Sequence, residues 1–307
     1  MTRAIWMLGA AGLLAVLTPA PPVRASLTPK NGLVRTYWPN GRLRTEISYR
    51  NDLYEGIYRA WSERGTPFQI RHYAAGHEEG LQQEWTEAGK LYVNYEARNG
   101  RHYGMENSTP CEVAGKPNGQ TTVPYFDDAR LTPHWSSVSH RVADFRLTTQ
   151  TGKTVTARDL CGGIHVASFI YTQCAAVCPL LVRQLSRLQE ATQGMADVRI
   201  VSYSVTPETD SPRALAAFGR DRGIDANKWW LLTGDRAQIY QLARQSYFAD
   251  DDRVQRPDAI DEFLHTEKVV LVDAGGHLRG IYNGTQPFQI DQLLGDIMRL
   301  RSESAPH

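Results

Sequence analysis

Glycine recurs at a fixed interval through the first third of this chain, and that interval restricts the fold more than any other feature. Gly32, Gly56, Gly80 and Gly104 stand 24 residues apart, and Gly41, Gly65 and Gly89 repeat at the same spacing. Each of the second set follows Trp38, Trp61 or Trp85 by three or four residues. Between the glycines lie short alternating stretches such as Arg42 to Tyr49, in which successive side chains would fall on opposite faces of a strand. Alternation punctuated by Asn40-Gly41, Arg64-Gly65 and Ala88-Gly89 predicts successive β-hairpins. A period of this length predicts a repeat array over residues 31–104, each unit burying its aromatic face against its neighbours. On that reading Trp38, Tyr49, Trp61, Tyr73 and Trp85 are the core of the array.

A second stretch organises the rest. Val166 to Tyr171 is an apolar run that reads as a buried strand; Thr172-Gln173 turns the chain, and Cys174-Ala-Ala-Val-Cys178-Pro179 opens a helix. Leu181, Leu185 and Leu188 share one face of that helix. Cysteines at a helix start lie near unpaired N–H groups and the positive end of the macrodipole, which favours thiolate over thiol. Thiolate is the form that attacks disulfides and binds metal. Further along, Val198 to Val205 reads as another buried strand, and Ser211-Pro212 as an N-cap followed by proline at the first helical position. Trp229 to Leu232 is a short strand, and Asp235 caps a helix carrying Ile239, Leu242 and Ala243. Lys268–Asp273 and Leu278–Tyr282 form a hairpin, and residues 287–300 a last amphipathic helix. Strands alternating with helices and closed by a hairpin predict an α/β thioredoxin-like sandwich over 132–301. The N-terminal β-hairpin repeat domain precedes it. Pro, Gly and Asn break any period across 105–131, a connector, and 302–307 is a flexible polar tail.

The first 25 residues read as an export signal: Arg3, an apolar run from Ala4 to Leu17, three prolines, then Val23-Arg24-Ala25 as a cleavage site. Cleavage after Ala25 places the protein outside the cytoplasm, in a periplasm; an uncleaved membrane anchor is the alternative. A formal charge of +1 argues against a nucleic-acid partner drawn by net charge. Four cysteines, Cys111, Cys161, Cys174 and Cys178, form an even set in an oxidising compartment. Cys111 and Cys161 read as a structural disulfide, or one of them as a resolving thiol for the close pair.

Two families are approached. Aromatic residue, turn glycine, strand, tyrosine and second glycine over 31–104 resemble MORN-type repeats of antitoxin-like proteins, which implies a β-rich module for an unknown partner. From about Thr132 to Leu300 the chain resembles the Sco (SenC) family of copper-handling proteins. The motifs are Phe145-Arg-Leu-Thr before a Thr-Gly-Lys turn; Cys174-x-x-x-Cys178-Pro179; Ser202-x-x-x-Thr206-Pro207-Glu208-x-Asp210-Ser211-Pro212; Leu232-Thr233-Gly234; and His265-Thr266 before a Leu-Val-Asp strand. The resemblance implies one copper ion held as Cu(I) by Cys174, Cys178 and His265, a donor set that a soft ion prefers. It also implies delivery to a copper-acceptor protein such as a cytochrome c oxidase subunit. The alternative is an enzyme, a thiol–disulfide oxidoreductase using Cys174 and Cys178 without His265; a third reading is a repeat scaffold. His134, His140, His165 and His277 read as surface or packing residues. Ala175 stands where the family has Pro, and Thr206 where it commonly has Asp, which leaves the partner open.

Overall fold

The structure, a computed structural model, describes residues 30–87, 89–105, 122–136, 138–173, 177–249 and 266–303. The chain is mixed α/β with two sheets. The first contains β1 (Gly32–Tyr37), β2 (Leu43–Arg50), β3 (Leu53–Tyr54), β4 (Gly56–Trp61), β5 (Pro67–Ala74), β6 (His77–Glu78), β7 (Gly80–Trp85), β8 (Leu91–Arg98) and β9 (Arg101–Met105). Its path is β1-β2-β4-β5-β7-β8-β9, antiparallel throughout, with β3 on β2 and β6 on β5. The 24-residue interval is visible in its register. Gly32 faces Tyr49, Gly56 faces Tyr73 and Gly80 faces Ala97, and the ladder slips at Thr36/Tyr37, Ala60/Trp61 and Glu84/Trp85. All seven periodic glycines have positive φ, from 77° to 123°, a conformation that strains any residue with a Cβ.

The aromatic residues are not a core. Trp38, Tyr49, Trp61, Tyr73 and Trp85 are each half-buried, because β1 to β7 carry mostly half-buried or exposed side chains, as in a sheet without a covering layer. The rings instead run along the surface: Tyr54 sits 5.2 Å from Tyr49 and 5.1 Å from Tyr73. The Trp38 indole donates to the Trp61 carbonyl of the next hairpin at 2.8 Å.

The second sheet follows the order β11-β10-β14-β13-β12-β15-β16. Its strands are β10 (Arg146–Thr149), β11 (Thr154–Thr156), β12 (Ile164–Ile170), β13 (Val198–Ser204), β14 (Trp229–Thr233), β15 (Lys268–Val272) and β16 (Leu278–Asn283). The helices are α1 (Val177–Ala191), α2 (Pro212–Asp221), α3 (Arg236–Gln241) and α4 (Pro287–Glu303). β12, β13 and β14 are parallel, and β15 and β16 return antiparallel. Every residue of β12 is buried. Val166 and Ile170 pack with Leu181, Leu185, Leu188, Leu215 and Ile297 on the side of α1, α2 and α4. Ala167 and Phe169 pack with Tyr203, Ile239 and Tyr247 on the other. Ser211 caps α2 through Ala214 N–H, and Asp235 caps α3 through Gln238 N–H, as their sequence positions imply. A π turn, Leu242–Ser246, continues α3.

The segment read as a connector behaves differently over 122–131. Val123, Phe126 and Leu131 are buried in the two clusters, and Phe126 bridges to Leu278 at the edge of β16. Arg279 holds the approach: it donates to the Val123 and Pro124 carbonyls and to Asp273 and Glu303. Glu303 also accepts the Val123 N–H, so α4 runs on through residues 302 and 303, where a loose tail was expected. The two sheets meet along β9 and β16. There Arg101 of β9 pairs with Asp296 of α4, which also accepts from Tyr282 and Arg299. Both partners are buried. Asn94 reaches the Arg130 carbonyl and Thr132, and Tyr103 meets Trp135 edge-on.

Two substitutions test this packing by chemical denaturation. Phe126→Ala is expected to cost about 3–5 kcal/mol, the price of emptying a core site, where a loose connector would lose under about 0.5 kcal/mol. Arg101→Ala leaves a buried carboxylate short of its main partner and is expected to cost about 3–5 kcal/mol. Arg301→Ala, which breaks a half-exposed pair with Asp197, is expected to cost under about 1 kcal/mol.

Candidate metal centre

The thiol segment begins where β12 ends. Parallel pairing with β13 runs to Ile170 opposite Ser204, and the Val205 N–H closes it on the Ile170 carbonyl at 3.0 Å. Thr172 and Gln173 then turn the chain, and α1 starts at Val177. Cys178 lies half-buried in the first turn of this 15-residue helix, where the positive end of the dipole favours its thiolate. Leu181, Leu185 and Leu188 are buried, so the helix face that was expected to pack inward does so and fixes the direction of the first turn. Of the three expected ligands the structure places Cys178; Cys174 and His265 lie outside the described residues. Among the described residues no group of three His, Cys, Asp or Glu side chains could hold a metal ion. Cys161 is an exposed free thiol 3.6 Å from the Ala157 carbonyl, and Cys111 lies outside the described residues.

Two further buried polar groups belong to β12 and its surroundings, the first at the thiol end of the strand and the second near its start. The first is Asp210, fully buried between the ends of β12 and β13. Its carboxylate accepts from the hydroxyls of Thr172, Ser204 and Thr206. Thr206, the departure from the Sco pattern, is thus a donor to this carboxylate. The Ser-x-Thr-x-x-x-Asp spacing of 204–210 was a legible signal for it. The second is His165, buried on β12. Its Nε2 lies 3.3 Å from the Tyr247 hydroxyl, which is 2.8 Å from that of Tyr203, while Nδ1 has no hydrogen-bond partner. Burial pushes the imidazole down to about 4, against a small opposing pull from Asp273. It is a packing residue, as expected, and it is neutral at neutral pH.

The family profile described as SCO1/SenC matches residues 135–301, more than half of the chain. The chain belongs to the SCO1/SenC family. It is 31% identical over 162 residues to the SCO1 protein homolog of Bacillus subtilis (strain 168), a match spanning 52% of this chain and 82% of that relative. Among solved structures it is similar to BsSco, a member of the Sco family of cytochrome c oxidase assembly proteins that has a disulfide switch. That similarity is 31% identity with a TM-score of 0.46, over 52% of this chain and 93% of the other. It is also similar to copper-bound ScoI of Bradyrhizobium japonicum, at 26% identity and a TM-score of 0.42, over 52% and 99% of the two chains. The SCO1/SenC match takes in Cys174, Cys178, Asp210 and His265, and leaves the glycine-periodic sheet outside it.

His165 gives this domain a measurable pH signature. Its folded value lies below the ordinary 6.5, so the stability it contributes is present above about 6.5 and is lost as pH falls through about 4. Asp296 acts in the opposite sense. Burial raises its carboxyl to about 6 against the pull of Arg101 and Tyr282, so its contribution is full below about 4 and lost as pH rises through about 6. Urea unfolding between pH 4 and 6.5 should therefore show a steeper acid loss in the native chain than in His165→Phe. Equal slopes would remove the buried neutral imidazole from the account.

Proposed function

We propose that this protein is an extracytoplasmic metallochaperone that carries one Cu(I) and hands it to an acceptor protein, a cytochrome c oxidase subunit. Cys174, Cys178 and His265 hold the ion. The observation that carries the reading is Cys178 in the first turn of α1, directly after a strand buried on both faces, within a chain of the SCO1/SenC family. Two thiolates and a neutral imidazole suit a soft monovalent ion better than they suit a hard one. Cys178 stands in the first turn of α1, and Cys174 lies three residues before the helix in sequence, close enough along the chain for both thiolates to serve one ion. The set carries a net charge of −1 with Cu(I), which the helix N-terminus offsets.

A thiol–disulfide oxidoreductase acting on the acceptor's cysteines is the second reading. The same helix terminus favours it, since a stabilised thiolate is also the attacking form. The two are compatible, because an acceptor must be reduced before it takes copper. The first sheet, MORN-type in its sequence pattern, serves as a partner-binding module in a periplasmic protein whose residues 1–25 direct export. Among the described residues no helix is long and apolar enough to cross a membrane.

Anaerobic titration of the reduced protein with Cu(I), in competition with a chromophoric chelator, tests the site. One ion per chain is expected. Cys174→Ser and Cys178→Ser should each weaken binding at least about 100-fold, while His265→Ala weakens it about tenfold and leaves thiol labelling unchanged. Unchanged affinity in Cys174→Ser rules the site out, and a pair that never opens under mild reduction removes both readings.

A further inference from the structure

Asp210 is a fully buried carboxylate whose described hydrogen-bond partners are three hydroxyls and one amide. Thr172 Oγ1 donates to Oδ1 at 2.5 Å. Ser204 Oγ and Thr206 Oγ1 donate to Oδ2 at 2.6 and 3.1 Å, and the Thr172 N–H approaches the same oxygen at 3.5 Å. The loop is stiffened further by Asp210 N–H on the Thr206 carbonyl at 2.9 Å and Thr206 N–H on Ser204 Oγ at 3.2 Å. A buried carboxylate is costly unless its oxygens are satisfied, and an apolar side chain would fill the space without that cost. The placement of its donors shows what the group accomplishes. They come from three segments: the exit of β12, the end of β13 and the turn leading to α2. The backbone ladder between β12 and β13 is complete at Val205 N–H to Ile170 C=O. Past that bond, Asp210 is what ties Thr172 to the neighbouring loop, and Thr172 stands two residues before Cys174.

We propose that Asp210 is a positioning residue for the metal-binding thiols, holding Thr172, two residues before Cys174 in sequence, against the β13–α2 loop. The proposal rests on the function argued above. A ligand loop fixed before binding loses less freedom when the ion arrives, so the tether appears as affinity. Thr206 strengthens it by supplying a third hydroxyl to the carboxylate, where a second acid would bring like charges together. Ser204 serves as the internal control, because it bonds the other carboxylate oxygen and has no covalent path into the cysteine loop.

The test uses the full chain, reduced and anaerobic, with Cu(I) as probe against a chromophoric chelator, and thermal unfolding beside it. Thr172 is half-buried, so Thr172→Val removes one hydroxyl with little change of shape. Thr172→Val should weaken Cu(I) binding about tenfold, which is about 1.4 kcal/mol. Thr172→Ser should restore binding to within about twofold of the native chain. Ser204→Ala should lower the unfolding midpoint yet keep affinity within about twofold. A metal-free readout runs in parallel: the dithiol–disulfide equilibrium of Cys174 and Cys178 with glutathione should shift at least about threefold in Thr172→Val and recover in Thr172→Ser. Native affinity and an unshifted equilibrium in Thr172→Val overturn the positioning role. So does a loss in Ser204→Ala equal to that in Thr172→Val, which would make Asp210 a stabilising group only. If the native chain takes up no Cu(I), the function reading falls, and the glutathione equilibrium then decides the positioning role by itself.

Discussion

Burial of β12 on both faces is the constraint on which the α/β half depends. A strand with no solvent side must be covered by a layer above and a layer below, and its neighbours must supply every backbone partner. β13 pairs with it from Ile164 to Ile170, β15 pairs from the other side, and α1 and the α3–π turn supply the layers. The place of Cys178 follows from that. A helix whose Leu181, Leu185 and Leu188 must face the sheet has one rotation available, and its first turn is set by the strand that feeds it.

The seam between the sheets obeys a different rule. It buries charge: Arg101, Asp296 and Arg279 with its carboxylate partners. Such contacts are specific in geometry and intolerant of losing one member. They join β9, β16, α4 and the segment entering at Val123 into one arrangement, and with Asn94 of β8 on Arg130 and Thr132 the first sheet is fastened to the α/β half at its last two strands.

Much of this was legible in the chain. The strands of the α/β half announce themselves by apolar runs, α2 and α3 by Ser211-Pro212 and Asp235, and the hairpin turns by their glycines. The aromatic residues misled because alternation defines a face but does not say whether a second layer covers it. Val123, Phe126 and Leu131 were hidden among Pro, Asn and Gly, since three apolar residues without a period carry no signal until Phe126 bridges to Leu278. In the Asp210 cluster the local donors Ser204 and Thr206 were legible, but Thr172 was not: it is 38 residues from its acceptor, and only parallel pairing brings them together. The π turn at Leu242–Ser246 has no local sequence mark, although it carries Tyr247 toward Tyr203 and His165.

Because the described contacts hold the first sheet at its β8–β9 end, its remaining strands run away from the seam. Neighbouring strands in any sheet lie about 4.8 Å apart, so the six steps from β9 to β1 amount to roughly 29 Å, close to the breadth of a small domain. Leu33 and Tyr37, both more than half exposed, therefore lie on an edge far from the seam. Whatever touches that edge meets a surface whose distance from the thiol helix is set by a count of hairpins. Adding or deleting one 24-residue unit would change that distance by two strand widths, about 10 Å, without altering a residue of the α/β half.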